Sequence, residues 1–281
     1  MLQQITPDGM RGRVFGFKDM ASDVAKVAAS LLIWQIPASD FYMVPVGILF
    51  GVLLIALGVY AVRGYGMAGP HPDGRLNLLW RITRLYAFGF QRLRAVGAER
   101  IPREGPLLLV ANHTAGLDPA LIQAAVPRPV RWVMTERFRL RGLGWLWGLI
   151  RPVFVRAAGR DSRAVREAIR ALRDGDVVGI FPEGGINRGP AGEVRRFHAG
   201  AGLIAAAADD AMIVPVAISG TPRTRSVLGS YLRRGEAVVT FGEPTSAAEL
   251  DADAPHDEGD RSRRITAALR ERLSRMLEPA I

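Results

Sequence analysis

Apolar residues beyond residue 100 follow two alternating patterns. Short apolar runs bounded by turn residues, such as PLLLVAN, VRWVMTE and MIVPVAISG, predict buried strands. Segments with apolar residues at helical spacing lie between them, and DSRAVREAIRALRDG predicts a helix with Asp161 or Ser162 as its N-cap and Gly175 at its end. This alternation predicts an α/β fold with a mixed, largely parallel sheet flanked by helices.

The N-terminal part of the chain has a different pattern. Residues 41–62 contain 22 residues without a charge, enough for a helix to cross a bilayer core of about 30 Å. Residues 14–36 are also mostly apolar, but Asp19, Asp23 and Lys26 share one helical face, which leaves open a second membrane helix or an amphipathic surface helix. Basic residues flank the pair and are absent from the short loop between, which predicts a transmembrane hairpin with both ends in the cytoplasm.

A Gly- and Pro-rich stretch separates these two parts. It predicts an anchoring helical hairpin over residues 1–66, a linker over 67–75 and an α/β domain over 76–281. The domain begins with apolar residues at helical spacing and arginines between them, over residues 76–96. Both a helix on the membrane surface and a helix packed on the domain fit this pattern.

Composition narrows the chemistry. The chain has no cysteine, which excludes disulfides, thiolate nucleophiles and Cys-ligated metals, and its four histidines are few for a metal centre. Its formal charge of +10 comes almost entirely from arginine and indicates an anionic partner, such as lipid headgroups, phosphorylated substrates or coenzyme A. No nucleic-acid-binding motif accompanies the charge, so we predict no nucleic acid partner. The richness in Ala, Gly and Arg is typical of a GC-rich bacterial genome.

Polar residues at the ends of predicted strands are the candidates for a site. His113, Glu183 and Thr221 all fall at such ends, where ligands bind in α/β sheets. In ANHTAGLDPA, His113 is the type of side chain best suited to remove a proton from a hydroxyl near neutral pH, and Asp118 can bind its other ring nitrogen. An Asp before a proline also fits a helix N-cap, and the segment alone leaves both roles open. The glycines of FPEGGINRG allow the backbone to approach a phosphate or a carbonyl oxygen closely.

The three motifs together resemble a known family. NHTAGLD, then FPEG, then IVPVAISGT resemble, in this order, the motifs of the glycerolipid acyltransferases, the family of 1-acylglycerol-3-phosphate acyltransferases. The resemblance covers residues 100–245 and implies the glycerolipid acyltransferase fold. It implies an O-acyltransferase of phospholipid biosynthesis in which His113 is the general base and Asp118 orients it. In that role Asp118 is expected to be held rigid as the N-cap of the next helix.

The resemblance also implies the substrates. The acyl donor is acyl-CoA or acyl carrier protein, a co-substrate, and the family needs neither a cofactor nor a metal. The acceptor is a lysophosphatidate-like glycerophosphate with a free hydroxyl. By this resemblance, the residues that bind the acceptor are Asn112, Arg156, Arg160, Glu183, Gly184 and Gly185.

Several residues depart from the family pattern. Gly185 stands where the family usually has Thr, Ile186 and Asn187 replace Arg and Ser, and Thr135 replaces a frequent lysine. These positions serve acceptor recognition, so the reaction type is better supported than the acceptor. A lysophospholipid or another hydroxyl acceptor stays open, as does a catalytically altered module that binds lipid or accompanies a transporter.

The N-terminal segment has a resemblance of its own. QQITPDGMRGRVFG is similar to the cytoplasmic loop before the last two helices of major facilitator transporters. This implies the tail of a transporter–acyltransferase fusion, or a relic kept as an anchor. We therefore expect a bacterial inner-membrane protein in contact with membrane lipids, with the catalytic domain on the cytoplasmic side. The number of subunits stays open.

Overall fold

The computed structural model describes residues 43–61, 69, 71, 73–139, 142–156, 161–190, 192–224, 226–254 and 259–278. The chain divides into two compact units, Met1–Gly69 and Pro70–Ile281. The boundary falls inside the linker that the sequence predicts at 67–75.

The described residues of the first unit form the helix α1 (Met43–Ala61), which covers most of the uncharged run. No helix in the described part of the chain is both long and apolar enough to cross a membrane. The predicted membrane span therefore finds no support in the described residues. The other half of the predicted hairpin, 14–36, and the transporter-like segment lie outside the described residues and stay predictions.

The second unit is a seven-stranded sheet with helices around it. The strands are β1 (Arg94–Val96), β2 (Leu107–Ala111), β3 (Val130–Thr135), β4 (Val153–Val155), β5 (Val177–Ile180), β6 (Met212–Ser219) and β7 (Val238–Phe241). The helices of this unit, in its described residues, are α2 (Gly74–Arg84), α3 (Asp118–Ala125), α4 (Gly144–Ile150), α5 (Ser162–Arg173), α6 (Gly200–Ala207), α7 (Val227–Leu232), α8 (Ala247–Asp253) and α9 (Arg261–Leu277). A π-helical turn, Leu85–Phe90, extends α2, and short 3-10 turns lie at Ala98–Arg100 and Glu136–Phe138.

The strand order is β1-β7-β6-β2-β5-β3-β4. All neighbours pair in parallel except β6 and β7, which are antiparallel. The predicted α/β fold with a mixed, largely parallel sheet is confirmed.

Strand β2 lies at the centre of the sheet, and all five of its residues are fully buried. Because successive side chains of a strand point to opposite faces, Leu108 and Val110 join one half of the core and Leu107, Leu109 and Ala111 the other. The first half is completed by α5, α6 and α9, and the second by α3. A strand buried on both faces needs a continuous apolar run, which is why PLLLVAN does not alternate with polar residues.

The helix that the sequence predicts over residues 76–96 is shorter in the structure. It ends with the π-helical turn at Phe90, and Arg94–Val96 form β1 instead. The helix packs on the domain, since Trp80 Nε1 donates to Val126 O at 3.1 Å and Arg84 Nη1 donates to Ala124 O at 2.7 Å. At the start of α5, the Asp161 side chain accepts from Arg163 N and Ala164 N, so the predicted N-cap is confirmed.

A close contact between α6 and α9 provides a test of the fold. A Cβ at Gly202 would lie 2.0 Å from Ser262 O, whereas a Cβ at Gly200 on the same helix would meet only Ile180 Cδ1 at 3.9 Å. We expect Gly202→Ala to lower the free energy of unfolding by about 1–3 kcal/mol through overpacking. Gly200→Ala should be neutral or stabilising by up to about 1 kcal/mol. Urea unfolding of both variants checks this, and equal effects would contradict the packing of α6 on α9.

Candidate active site

Three loops meet at one edge of the sheet. Strands β6, β2 and β5 are neighbours, and β2 pairs in parallel with both of the others, so their carboxyl ends lie side by side. The loops that follow them carry Thr221, His113 and Glu183. The sequence predicts these three residues as parts of one cleft, and the topology brings their loops together.

His113 and Asp118 are in direct contact. His113 Nδ1 lies 2.9 Å from Asp118 Oδ2, and the side chains are 16% and 0% exposed. The same carboxylate oxygen accepts the backbone N–H of Thr114 at 2.6 Å and of Ala115 at 2.8 Å. A carboxylate that accepts from Nδ1–H fixes the tautomer in which Nε2 carries the free lone pair. The pair therefore has the arrangement of a base and its orienting partner.

The expectation that Asp118 caps the next helix is wrong. Helix α3 begins at Asp118, its N-cap is Leu117, and no side chain caps it. The carboxylate turns back to the preceding loop because the N–H groups of Thr114 and Ala115 bind it there. Pro119 in the first turn has no N–H, which leaves one donor fewer to satisfy at this helix end.

The carboxylate of Glu183 accepts hydrogen bonds from backbone N–H groups. Its side chain is buried at 4% exposure, Oε1 accepts His113 N at 2.8 Å, and Oε2 accepts Arg195 N at 3.2 Å. Burial raises the pKa of Glu183, and the two backbone hydrogen bonds partly offset that shift. The His113 carbonyl is held from the same loop, since Asn187 N donates to it at 2.6 Å. Glu183 is thus placed to fix the backbone of the histidine, whereas the family resemblance assigned it to the acceptor.

Asn112 likewise has a backbone partner. Its Nδ2 donates to Ile218 O at 2.9 Å, and its Oδ1 accepts from Ile218 N at 2.8 Å, with the residue 3% exposed. Strand β2 ends at Ala111. Beyond that point, the side-chain amide of Asn112 forms the hydrogen bonds to the Ile218 backbone that a further residue of β2 would otherwise form. This geometry joins the histidine loop to β6 and gives no support to the predicted substrate contact of Asn112.

Two threonines to which the family resemblance assigns no role, Thr114 and Thr221, join this network. Thr114 Oγ1 lies 2.7 Å from Thr221 Oγ1 and 3.3 Å from both oxygens of Asp118. Because Thr114 has one hydroxyl proton, donation to Asp118 requires Thr221 to donate to Thr114. The sequence indicates Thr221 as a site residue by its position at a strand end, whereas no feature of the sequence indicates Thr114.

Aromatic rings fix the plane of the imidazole. The His113 ring stacks on Phe181 with centroids 4.2 Å apart, and Phe181 stacks on Trp132 at 5.0 Å. Gly179 makes room for this stack, since a Cβ there would lie 2.6 Å from the Trp132 ring. Phe181 and Trp132 were not predicted as parts of the site, although Phe181 opens the FPEG motif.

Helix α7 supports the histidine loop from the other side. A Cβ at Gly116 would lie 2.5 Å from Val227 Cγ1, so only glycine fits against this helix. The Tyr231 hydroxyl donates to Gly116 O at 3.4 Å. Burial raises the pKa of Tyr231 to about 12, so the phenol stays a donor at neutral pH.

The glycines of the FPEGG turn differ in what surrounds them. Gly184 has φ +70, and a Cβ there would lie 2.7 Å from the His198 ring, so the turn favours glycine on two grounds. Its N–H donates to Phe181 O at 3.1 Å and closes the turn. A Cβ at Gly185 would have no neighbour within 4 Å, so this is the open position of the turn.

Arginines other than those predicted lie beside the Glu183 turn. Arg156 follows β4, its side chain is 69% exposed, and its Nε lies 3.7 Å from Glu136 Oε1. Arg160 lies outside the described residues. A depression of about 360 Å³ beside the Glu183 turn is lined by Ile186, Asn187, Arg188, Gly189, Glu193 and Arg195. Sequence reasoning missed Arg188 and Arg195, because the family motif has its arginine at the position of Ile186.

Metal coordination needs several acidic or histidine side chains grouped together. Among the residues that the structure describes, no three such side chains form a group that could hold a metal ion.

Comparison with known proteins points to one family. Residues 92–219 match the sequence profile of the Acyltransferase family. A lyso-ornithine lipid O-acyltransferase of Pseudomonas aeruginosa is 32% identical over 227 residues, which are 72% of this chain and 84% of that protein. A 1-acyl-sn-glycerol-3-phosphate acyltransferase of Borreliella burgdorferi is 29% identical over 46% of this chain and 52% of its own length.

The fold has a solved counterpart. The crystal structure of the 1-acyl-sn-glycerophosphate (LPA) acyltransferase PlsC from Thermotoga maritima matches 74% of this chain and 83% of its own, with a TM-score of 0.55 and 24% identity. This likeness shows the fold. The chain spans about half the length of the first curated relatives it matches, 46% to 52%.

The buried Glu183 predicts a pH dependence of stability. Because burial raises its pKa, the group stabilises the fold most at low pH, and this contribution is lost as the pH rises from the ordinary Glu value through the folded pKa. Relative to Glu183→Gln, which does not titrate, the free energy of unfolding of the unaltered protein should fall as pH rises through that window. Urea unfolding at a series of pH values measures this, with the exposed Glu193→Gln as control. A difference that does not change with pH would contradict it.

Proposed function

This chain belongs to the acyltransferase family, and on that premise we propose that it transfers a fatty acyl group from a thioester donor to a hydroxyl of a lysophosphatidate-like acceptor in phospholipid synthesis. One observation carries the proposal. The imidazole of His113 is bound through Nδ1 to a fully buried carboxylate at 2.9 Å, at the edge of the sheet where ligands bind.

The proton transfer follows from that geometry. His113 Nε2 takes the proton of the acceptor hydroxyl as its oxygen attacks the thioester carbonyl carbon. The Asp118 carboxylate stabilises the imidazolium that forms, and the Phe181 ring holds its plane. When the C–S bond breaks, the thiolate leaves and takes the proton back from His113. The acyl group passes directly to the acceptor, so no covalent enzyme intermediate forms.

The acceptor's phosphate would be bound by arginines beside the cleft. Arg188 and Arg195 line the depression next to the Glu183 turn, and they supply the positive charge that is lost at Ile186. Arg156 and Arg160 are the alternative from the family motif. Guanidinium groups bind phosphate oxygens in pairs, which suits a glycerophosphate headgroup. Gly185, the open position of the turn, would let the headgroup approach the backbone.

A second acceptor is favoured by the comparisons. The Pseudomonas relative named for lyso-ornithine lipid is matched over 84% of its length. The substitutions at Gly185, Ile186 and Asn187 fall in the loop that recognises the acceptor. Lyso-ornithine lipid is therefore the second candidate, and its free carboxylate would use the same arginines. The alternative that is not an enzyme is a catalytically altered module that binds lipid.

The location and the donor are also proposals. We place the domain on the cytoplasmic face of a bacterial inner membrane, where acyl-CoA or acyl carrier protein and lysolipids meet. Ile82 on α2 and Leu85 at the start of the π-helical turn are 56% and 76% exposed, and arginines flank them. Exposed apolar side chains among arginines are typical of surfaces that contact anionic lipid.

Loss of the base should nearly abolish activity. We expect His113→Ala to lower acyl transfer by about 10²- to 10⁴-fold, the usual contribution of a general base. Asp118→Asn should also lower kcat strongly, because an amide can donate to Nδ1 and favour the wrong tautomer. Release of free thiol from acyl-CoA in the presence of lysophosphatidate measures both.

The matched control for this test is His198→Ala. His198 is exposed, its backbone N–H donates to Pro182 O at 2.8 Å, and its ring lies against Gly184. It should keep most of the activity. If His113→Ala and the unaltered protein release thiol at equal rates, His113 is not the base.

An acceptor panel decides between the two candidate substrates. Lysophosphatidate, lyso-ornithine lipid and lysophosphatidylcholine would be offered with one labelled acyl donor. We expect the anionic lysophosphatidate to give the highest kcat/KM, and Arg195→Gln to raise its KM more than that of zwitterionic lysophosphatidylcholine. A highest kcat/KM for lyso-ornithine lipid would select the second candidate. Lipid binding without transfer to any acceptor would support the non-catalytic module.

A further inference from the structure

A second charged concavity lies at the edge of the sheet opposite His113. Its volume is about 350 Å³, and its lining contains Arg131, Arg151, Arg163, Arg166, Glu167, Arg170, Ala171 and Asp174. Arg131 is the second residue of β3, and Arg151 precedes β4 by two residues. Both positions are at the amino ends of strands parallel to β5, which is itself parallel to β2, whereas His113 follows the carboxyl end of β2. We name this concavity the arginine pocket.

Two carboxylates, that of Glu167 in the lining and that of Asp176, are engaged by the partly buried Arg131. The Arg131 side chain is 13% exposed, and its Nη1 lies 2.9 Å from Asp176 Oδ2. Its Nη2 lies 3.6 Å from Glu167 Oε1, and its Nε donates to Arg151 O at 2.8 Å. Arg131 thus forms a fixed, neutralised floor.

The outer arginines lack such partners. Arg163, Arg166 and Arg170 lie on one face of α5, at spacings of three and four residues. Within the described residues, no acidic side chain forms an ion pair with any of these three. The lining holds five arginines against Glu167 and Asp174, 5 − 2 = +3 in formal charge. Like charges at this spacing repel, and Glu167 and Asp174 in the lining offset that repulsion only in part.

The backbone conformation of Arg151 is a second indication that the positive charge of the pocket has a function. Arg151 is the C-cap of α4 and has φ 46 and ψ 52, the left-handed conformation. Glycine or asparagine usually occupies this position, because a larger side chain is strained in the left-handed conformation. Arg151 keeps its side chain 60% exposed at the pocket. A glycine would serve the turn equally well, so the arginine adds charge at the expense of strain.

We propose that the arginine pocket binds a phosphate-bearing anion of about the size of a diphosphate. The lining is polar apart from Ala171, which excludes an apolar ligand, and the volume falls within the range of small-molecule pockets. Guanidinium forks bind phosphate oxygens bidentately, and three unpaired ones along α5 match several phosphate oxygens. The phosphate comes either from a soluble phosphorylated compound or from a lipid headgroup. The site is separate from the His113 edge, so its occupation does not depend on the acyl-transfer chemistry.

Binding of inorganic pyrophosphate to the full chain tests the proposal. Calorimetry at low salt would compare the unaltered protein with Arg166→Gln/Arg170→Gln. The control is Arg103→Gln/Arg270→Gln, which removes the same charge from exposed positions elsewhere on the domain. We expect the first pair to weaken binding by about tenfold or more, because it removes charge-assisted hydrogen bonds, and the control to bind as the unaltered protein does.

A second arm distinguishes the two sources of phosphate. Co-sedimentation with phosphatidylglycerol vesicles and with phosphatidylcholine vesicles would be measured for the same three proteins. Weaker binding of Arg166→Gln/Arg170→Gln than of the control to phosphatidylglycerol alone assigns the pocket to a lipid headgroup. An effect on pyrophosphate without an effect on vesicles assigns it to a soluble compound. If both double variants behave alike in both arms, or if neither probe binds, the proposal is overturned. No acyl donor is present, so these results do not depend on the proposed enzymatic activity.

Discussion

The buried carboxylate of Asp118 is the interaction on which the site depends. A buried charge is tolerated only when its hydrogen-bonding capacity is filled, and three N–H groups from one short loop fill that of Asp118 Oδ2. The loop therefore folds around the carboxylate and carries the imidazole with it. Glu183, the second buried carboxylate, binds the same loop from the neighbouring strand end. Together they hold His113 by both its ring and its backbone.

The sheet makes this arrangement possible. Strand β2 is covered on both faces, so the loop that leaves it has a fixed origin, and the loops after β6 and β5 lie on either side. Each neighbour contributes one anchor: Ile218 of β6 binds Asn112, and Glu183 after β5 binds the His113 N–H. The histidine is thus positioned by three adjacent strands, and the stack on Phe181 and Trp132 extends that support to β3.

Sequence patterns predict the parts of this structure that depend on local order. The apolar runs predict the strands, and the rule for parallel sheets predicts that His113, Glu183 and Thr221 share an edge. The direction in which a side chain points depends on its contacts in the folded chain, which the local sequence pattern does not contain. An Asp before a proline predicts a helix cap, but Leu117 is the N-cap and the Asp118 carboxylate faces the preceding loop. The partners of Asn112 and Glu183 lie 106 and 70 residues away, so their anchoring roles have no sequence signal.

The difference between residues tied to the sheet and residues of a projecting turn explains how the family motif can vary beside His113 while the contacts that position His113 are kept. His113 and Asp118 are tied to the sheet, whereas Gly185 and Ile186 belong to a turn that projects from it, with open space at Gly185. Substitution there leaves the anchors of the base in place. Asn187 limits this freedom, because its N–H donates to His113 O and its side chain donates to Glu193 O and accepts from Gly189 N. Acceptor choice can therefore vary at 185 and 186, while residue 187 remains coupled to the histidine through its backbone.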